Sequence, residues 1–388
     1  MRILILPSWY PTPENPGSGV FFRDQAEALA EAGHDVTVMY IQLYSIKNVI
    51  GHVSKEPQFK EINGVKTYYY YACSYGADRR MRVCERVREV FPKAIKSLMD
   101  KEGNFDIVHA HSFRAAGYAA VVNKRLLGCP VIVTEHISSI GNDEITSLEK
   151  KHLKTTVEGA NLFVCVSENL KTIVKEKTGT NKKILVIPNI LPSVFSEAIA
   201  EEEEIKSDKL RFIAVGSLRE IKRYDFMINA FADVFSNCRD VELRICGDGP
   251  ARDKLKKLIE ALSLEDKVKL LGYQSREDVR KQMLMSHVML QASKSETFGV
   301  VLIEAMACGL PVIGTRNGGS NEVLEAYGAN AVDVDDYDAY CEAIKEIAHT
   351  FKSYNRKLIR NNTLYKYGKK SIVELLEEAY KEALTFGK

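Results

Sequence analysis

The chain has 388 residues, 45% of them hydrophobic and 27% charged, which suits two domains of ordinary size and exceeds one typical core. Its 54 basic and 52 acidic residues leave a net charge of +2, so no global field invites nucleic acid and any basic surface must be local. Eight cysteines stand without a Cys-x-x-Cys spacing or His-Cys clustering, which fits buried thiols in a reducing compartment better than disulfides or zinc.

The start, MRILILPSWYP, is only briefly apolar and lacks a small-residue cleavage site, and no run approaches ~18 apolar residues. The expectation is a cytoplasmic protein that spans no membrane. The first strand leads into a long loop with Pro7, Pro11, Pro13, Pro16, Gly17 and Gly19 ahead of a helix. Glycine permits close backbone approach and a helix N-terminus faces an anion, although the loop matches no standard phosphate-loop pattern. Apolar strand-like runs then alternate with helical stretches: RILILP, DVTVMYI, VKTYYYY, FDIVHAH, PVIVTEH, NLFVCVS and ILVIPNI, followed by RFIAVGS, VELRICG, KVKLLGY, HVMLQAS, PVIGTR and ANAVDV. Continuous apolar runs are what strands buried on both faces look like, and their alternation with helices implies parallel sheets. Residues 42–80 carry no further readable pattern.

The segment Asp78 to Lys101 reads as a basic amphipathic helix with Cys84, Val87, Phe91, Ile95 and Leu98 on one stripe. The stripe suits packing on a sheet, and the basic side suits an anionic bilayer or lipid-phosphate acceptor. At the end of FDIVHAH, His109 and His111 share a face because side chains two apart do so in a strand. They could form a zinc half-site, but no third ligand has metal spacing, and an imidazole meeting a sugar is the simpler reading. Glu135 and His136, at the next strand end, carry the same reading.

Between Ile190 and Leu210 the pattern breaks into an acidic run, read as a linker over 193–209. It separates a domain at 1–192 from one at 210–370, with 371–388 as a final amphipathic helix. Just beyond the strand RFIAVGS lie Arg219, Lys222 and Arg223, cations suited to a diphosphate leaving group. In SKSETFGVVLIEAMACGLP, Glu296 and Glu304 are separated by seven residues that contain a glycine and a helix start. Glu296 reads as a loop end ahead of the helix, and eight positions at roughly 100° each bring the second carboxylate within about 80° of the first. Carboxylates accept sugar or ribose hydroxyls, while the amides of Phe298, Gly299 and Val300 suit a phosphate. The triplet Asp333-Val334-Asp335 invites comparison with a metal-binding DxD, but helix capping by Asp335 or Asp336 explains it without a metal.

Taken in order, PGSGVFFRDQAEALAEAGHDV, DIVHAH, PVIVTEH, VSENL, VIPNI, VGSLREIK, ICGDGPARDKL and ETFGVVLIEAMACGLPVIGTRNGGSNEVL resemble the retaining glycosyltransferases of family 4. The resemblance covers nearly the whole length. It implies the GT-B fold: an α/β protein of two Rossmann-like, doubly wound parallel-sheet domains facing a central cleft. It implies transfer from a nucleotide-diphosphate sugar of the UDP or GDP type to a hydroxyl of a glycan or lipid-linked acceptor, without cofactor or divalent metal. Glu296, His111 and Lys222 are the implied catalytic residues. Gly19, Lys222, Arg219, Gly272, Tyr273, Phe298, Gly299, Val300 and Glu304 are the implied donor-binding residues, with Glu304 on the ribose, Glu296 on the transferred sugar and His111 the cleft histidine. The terminal helix is implied to cross back to the first domain. A glycan intermediate made at the inner membrane face is the implied setting, with membrane contact through 79–101. Ser217 stands where many members carry arginine, which leaves phosphate neutralisation to Lys222. A nucleotide-sugar 2-epimerase of the same fold and a non-catalytic subunit of a transferase complex are the alternatives.

Overall fold

The computed structural model describes residues 1–45, 57–74, 79–137, 140–141, 145–198 and 209–386. The chain divides into two units, Met1–Ile190 with Lys370–Lys388, and Leu191–Lys369.

The first unit is built on strands β1 (Arg2–Pro7), β2 (Asp35–Ser45), β3 (Gln58–Ile62), β4 (Val65–Ser74), β5 (Ile107–His111), β6 (Val131–Glu135), β7 (Leu162–Cys165) and β8 (Ile184–Val186). They form one sheet in the order β3-β4-β2-β1-β5-β6-β7-β8. β5, β6 and β7 are buried throughout, as apolar strands covered on both faces must be. Every pairing is parallel except that of β3 with β4. β3 was not expected from the sequence, because all five of its residues are exposed and Phe59 and Ile62 stand apart rather than in a continuous apolar run. What makes it is the turn: Asn63 (φ 51°) and Gly64 (φ 74°) are both left-handed, the two-residue hairpin connection that Asn-Gly favours.

The chain runs outward from β1 through β2 and β4, then returns to β5 on the other side of β1. This reversal is a topological switch point, where the loops after β1 and β5 part and ligands of open parallel sheets collect. The final helix, Lys369–Thr385, buries Ile372, Val373, Leu376, Ala379, Tyr380 and Ala383 in the same core as Ile3, Phe22 and Val36. The helix Arg79–Glu102 buries Cys84, Val87, Phe91, Ile95 and Leu98, the stripe read from the sequence.

The second unit is a six-stranded parallel sheet of β9 (Leu210–Val215), β10 (Val241–Cys246), β11 (Val268–Gly272), β12 (Val288–Leu290), β13 (Val312–Arg316) and β14 (Ala329–Asp333). Its order is β11-β10-β9-β12-β13-β14, which puts the switch point between β9 and β12. Of the segment read as a linker, residues 199–208 lie outside the described residues, and Ser193–Ser196 is a short helix of this unit. Arg360 ties that helix down by donating to the carbonyls of Phe195 and Ser196. Among the described residues, no helix is long and apolar enough to cross a membrane.

Candidate active site

The second unit gathers its charged side chains at the switch point. The loop after β9 turns through Glu220–Lys222, and the Lys294 N–H donates to the Ile221 carbonyl at 2.8 Å, fastening this loop to the one after β12. Lys222 Nζ thereby lies 2.5 Å from Glu296 Oε1, with both side chains partly exposed. Gln291 Nε2 donates to the same Oε1 at 3.4 Å, and Gln291 Oε1 accepts the Thr315 N–H at 3.2 Å. Tyr224 is buried beside them, and burial together with the Glu296 charge raises its phenol.

Behind Glu296, the loop after β13 supplies a second brace. Thr315 Oγ1 and Asn317 Nδ2 both donate to the Ser293 carbonyl, at 2.6 and 3.3 Å. Glu296 and Gly318 form an isolated bridge. A Cβ on Gly319 would stand 2.0 Å from the Glu296 carbonyl oxygen, so only glycine lets the two loops touch. The helix Val300–Ala307 starts from Gly299 (φ 89°, ψ 47°) with no side-chain cap, which presents the first-turn N–H groups outward to an anion.

Glu296 precedes this helix rather than lying on it, so the rotation argument for Glu296 and Glu304 fails in that form. What positions Glu296 is the loop bracing from Gln291 and Gly318–Gly319. Glu304 is half-buried on the helix. Phe298 is a core side chain, edge-on to Tyr367 at 5.6 Å, so only its backbone is available. Val300 is the first helical residue. Arg219 is exposed on the loop of Lys222. Arg223 turns away to Asp335 at 2.8 Å and lies 4.0 Å over the Phe226 ring. Gly272 (φ 73°) ends β11 and its carbonyl accepts the Gly247 N–H at 2.8 Å, while Tyr273 next to it is exposed. Asp333 pairs with Arg316 at 3.0 Å and Asp336 caps the helix Tyr337–Thr350. Gln291 and the Gly318-Gly319 pair are the site-building residues that sequence reasoning missed. Their signal was an amide ending an apolar strand and two glycines opposite the Glu296 loop.

The first unit places imidazoles at its own switch point. His109 and His111 stack at 4.4 Å, as their two-residue spacing requires. His109 uses both ring nitrogens, Nδ1 with the Tyr380 hydroxyl at 2.8 Å and Nε2 with Thr134 Oγ1 at 2.7 Å. His111 Nδ1 meets His136 Nε2 at 3.1 Å, which leaves His111 Nε2 buried without a partner among the described residues. Burial pushes His109 and His136 down to about 3 and His111 well below the usual range, so all three are neutral near pH 7. Since both rings of the His111–His136 pair are neutral, one donates and the other accepts, and their tautomers are coupled.

Glu135 is not a ligand-facing group. Its carboxylate accepts the backbone N–H groups of Phe113, His136 and Ile137 at 2.7, 2.8 and 2.9 Å and anchors the loops after β5 and β6. Ser8 ties the loop after β1 to the same place, its N–H and Oγ donating to the His111 carbonyl at 3.2 and 2.7 Å. Gly19 (φ 67°) caps the helix Val20–Glu31, where a Cβ would stand 2.5 Å from the Trp9 carbonyl oxygen.

Residues 16–192 match the family described as Glycosyltransferase Family 4, and residues 195–364 match Glycosyl transferases group 1. The chain belongs to the family 4 glycosyltransferases. N-acetyl-alpha-D-glucosaminyl L-malate synthase of Bacillus anthracis is 28% identical over 324 residues, 81% of this chain and 79% of that protein. The gpi3 subunit of phosphatidylinositol N-acetylglucosaminyltransferase from Schizosaccharomyces pombe is 31% identical over 226 residues, 58% of this chain and about half (49%) of that subunit's length. Among solved structures, sucrose-phosphate synthase from Thermosynechococcus elongatus superposes with a TM-score of 0.80 at 18% identity, covering 100% of both chains. HepE from Anabaena, solved with UDP and glucose, does so with a TM-score of 0.74 at 16% identity over 98% and 99% of the two chains. The glycosyltransferase therefore has the GT-B fold, with two parallel-sheet α/β domains.

Proposed function

We propose that this glycosyltransferase moves a sugar from a UDP-sugar to a hydroxyl of a glycan or lipid-linked acceptor, with retention at the anomeric carbon and without a divalent metal. The observation that carries the reading is the Lys222–Glu296 pair at the β9/β12 switch point, 2.5 Å apart and facing a helix N-terminus without a side-chain cap. Before a donor binds, each charge satisfies the other. A diphosphate entering beside Gly299 draws the Lys222 ammonium onto its oxygens, where negative charge grows as the anomeric carbon–oxygen bond breaks. Glu296, released from Lys222 and still held by Gln291, then accepts hydroxyls of the transferred sugar. Glu304 is assigned to the ribose hydroxyls, Gly272 and Tyr273 to the base, and Arg219 to the diphosphate.

The acceptor oxygen attacks the face from which the diphosphate leaves, and its proton passes to the departing phosphate oxygen. Protein groups then need mainly to position and to stabilise charge. His111 Nε2 is assigned to a sugar hydroxyl, since it is buried and otherwise without a partner among the described residues. Metal independence is supported by the engagement of Asp333, Asp335 and Asp336 with Arg316, Arg223 and a helix cap. A UDP donor is supported by HepE, solved with UDP and glucose. N-acetylglucosamine is the first sugar to try, because the relatives named above are N-acetylglucosaminyl enzymes.

Thermal shift with UDP, GDP and ADP tests the donor site. Nucleotide at ~100 times Kd stabilises by about 2.7 kcal/mol. The expected result is a shift with UDP that Glu304→Ala abolishes. A shift with GDP or ADP alone would replace the proposed base, and no shift with any of the three would sink the donor site.

A further inference from the structure

Residues 347–373 contain no Asp or Glu and seven Lys or Arg, in a chain whose net charge is only +2. The middle of this stretch is the helix Arg356–Tyr367 of the second unit. One face packs inward, with Ile359, Thr363 and Tyr367 buried. Arg356 turns the same way to donate to the Ser286 and Cys308 carbonyls, as Arg360 does to Phe195 and Ser196. The other face carries Lys357, Leu358, Asn361, Asn362, Tyr365 and Lys366, all exposed. Leu358 is 43% and Tyr365 83% accessible, far beyond what either needs to pack on its own unit.

At roughly 100° per residue, Leu358 and Tyr365 lie about 20° apart, and Lys357 and Lys366 flank them at about 100° and 80° on either side. An apolar strip between two lysines whose stems can lie along it is the arrangement of a helix resting in a membrane interface. The carboxylates felt at this helix, Glu322 and Glu325, act on Tyr367, on its buried face.

We propose that this face docks the second unit onto an anionic lipid surface. Leu358 and Tyr365 enter the headgroup layer while Lys352, Lys357 and Lys366 meet lipid phosphates. A soluble polyanion fits less well. The two arginines, whose forks would grip phosphate bidentately, are committed to carbonyls, and an exposed leucine has nothing to contact on a polyanion. In the basic helix Arg79–Glu102, Arg86 and Arg88 are paired with Glu89 and Glu85 at 2.9 and 2.8 Å, and the side chains of 79–82 lie outside the described residues.

Flotation of the full chain with lipid vesicles tests this without donor or turnover. The chain is expected to float with phosphatidylcholine vesicles containing about one third phosphatidylglycerol and not with phosphatidylcholine alone. Lys357→Ala with Lys366→Ala lowers the partition coefficient on the order of 30-fold. Leu358→Ser with Tyr365→Ser lowers it on the order of tenfold or more and leaves its salt dependence in place. All four side chains are exposed and Lys366 Nζ also lies 5.1 Å over the buried Tyr367 ring, so a thermal melt of each double variant checks that the fold is kept. Wild-type protein that fails to float with anionic vesicles, or either double variant that floats as wild type does, overturns the proposal. Tighter retention on heparin than on vesicles, unchanged by the Leu358/Tyr365 pair, overturns it in favour of a polyanion.

Discussion

At the switch point of the first sheet stand three neutral imidazoles packed with Phe22, and at that of the second stand an ammonium and a carboxylate 2.5 Å apart. The two places are topologically alike and chemically opposed. His109, His111 and His136 lie deep enough that burial strips them of charge, so they can offer hydrogen bonds without competing for an anion. Lys222 and Glu296 stay partly exposed and pair with each other. The same strand-end topology can thus carry a neutral hydrogen-bonding site in one unit and a charged one in the other.

Acid breaks the comparison most strongly. The folded-state pKa values of the three histidines lie below the unfolded value near 6.5, so the unfolded chain takes up protons that the folded chain refuses. Their contribution is fully present above pH 6.5 and is lost as pH falls toward about 3 for His109 and His136. These three contribute a slope of about 4 kcal/mol per pH unit between roughly pH 5.5 and 4, beside those of His152 and His287, which burial also lowers. Urea midpoints across that range measure the slope. His136→Gln is expected to reduce the slope by about 1.4 kcal/mol per pH unit, and an unchanged slope would show that His136 titrates normally.

Lys222→Ala comes next. It removes the charge set against the leaving diphosphate, and kcat/KM is expected to drop on the order of 10²- to 10³-fold. The melting temperature should barely move, because a partly exposed ion pair contributes ~1 kcal/mol or less. Steady-state kinetics beside a thermal melt separate the two, and near-normal kinetics would remove Lys222 from the reaction. Gly319→Ala attacks the same site from behind. Its Cβ displaces the Glu296 loop, so activity should fall with Lys222 and Glu296 both intact, whereas an enzyme of wild-type activity would show that this loop bracing is irrelevant to turnover.

His109→Phe probes the neutral site. It strands the hydroxyls of Tyr380 and Thr134 and should cost on the order of 1–3 kcal/mol by denaturant unfolding. No loss would mean that the bond to the terminal helix contributes nothing. The smallest effect belongs to the edge of the sheet, where Gly64→Ala forces a left-handed residue to carry a Cβ. About 1 kcal/mol is expected, read as faster amide exchange in β3 with little change at β1.

The apolar runs of the sequence located thirteen of the fourteen strands among the described residues, because a strand buried on both faces must be apolar whatever its neighbours. Lys222 and Glu296 were legible for a related reason, since charged residues just beyond such runs end up at strand ends. β3 was not legible, as an exposed edge strand places no demand on composition. The helical rotation drawn between Glu296 and Glu304 counted all eight positions as helical, and the helix begins only after Gly299.

By itself, then, the sequence determined the alternation of strands and helices, the two sheets and the residues that reach their carboxyl ends. Those follow from local periodicity and from the need to bury apolar surface. Tertiary structure decided which of these residues keep their charge and which partners they hold. Glu135 looked like Glu296 in the chain, yet three backbone N–H groups claim its carboxylate. Arg223 stands beside Lys222, yet its left-handed backbone (φ 53°) accompanies a turn toward Asp335. Such outcomes depend on loops from strands distant in sequence meeting at one switch point, and on how much water they leave there. Neither quantity is written in any short stretch of residues.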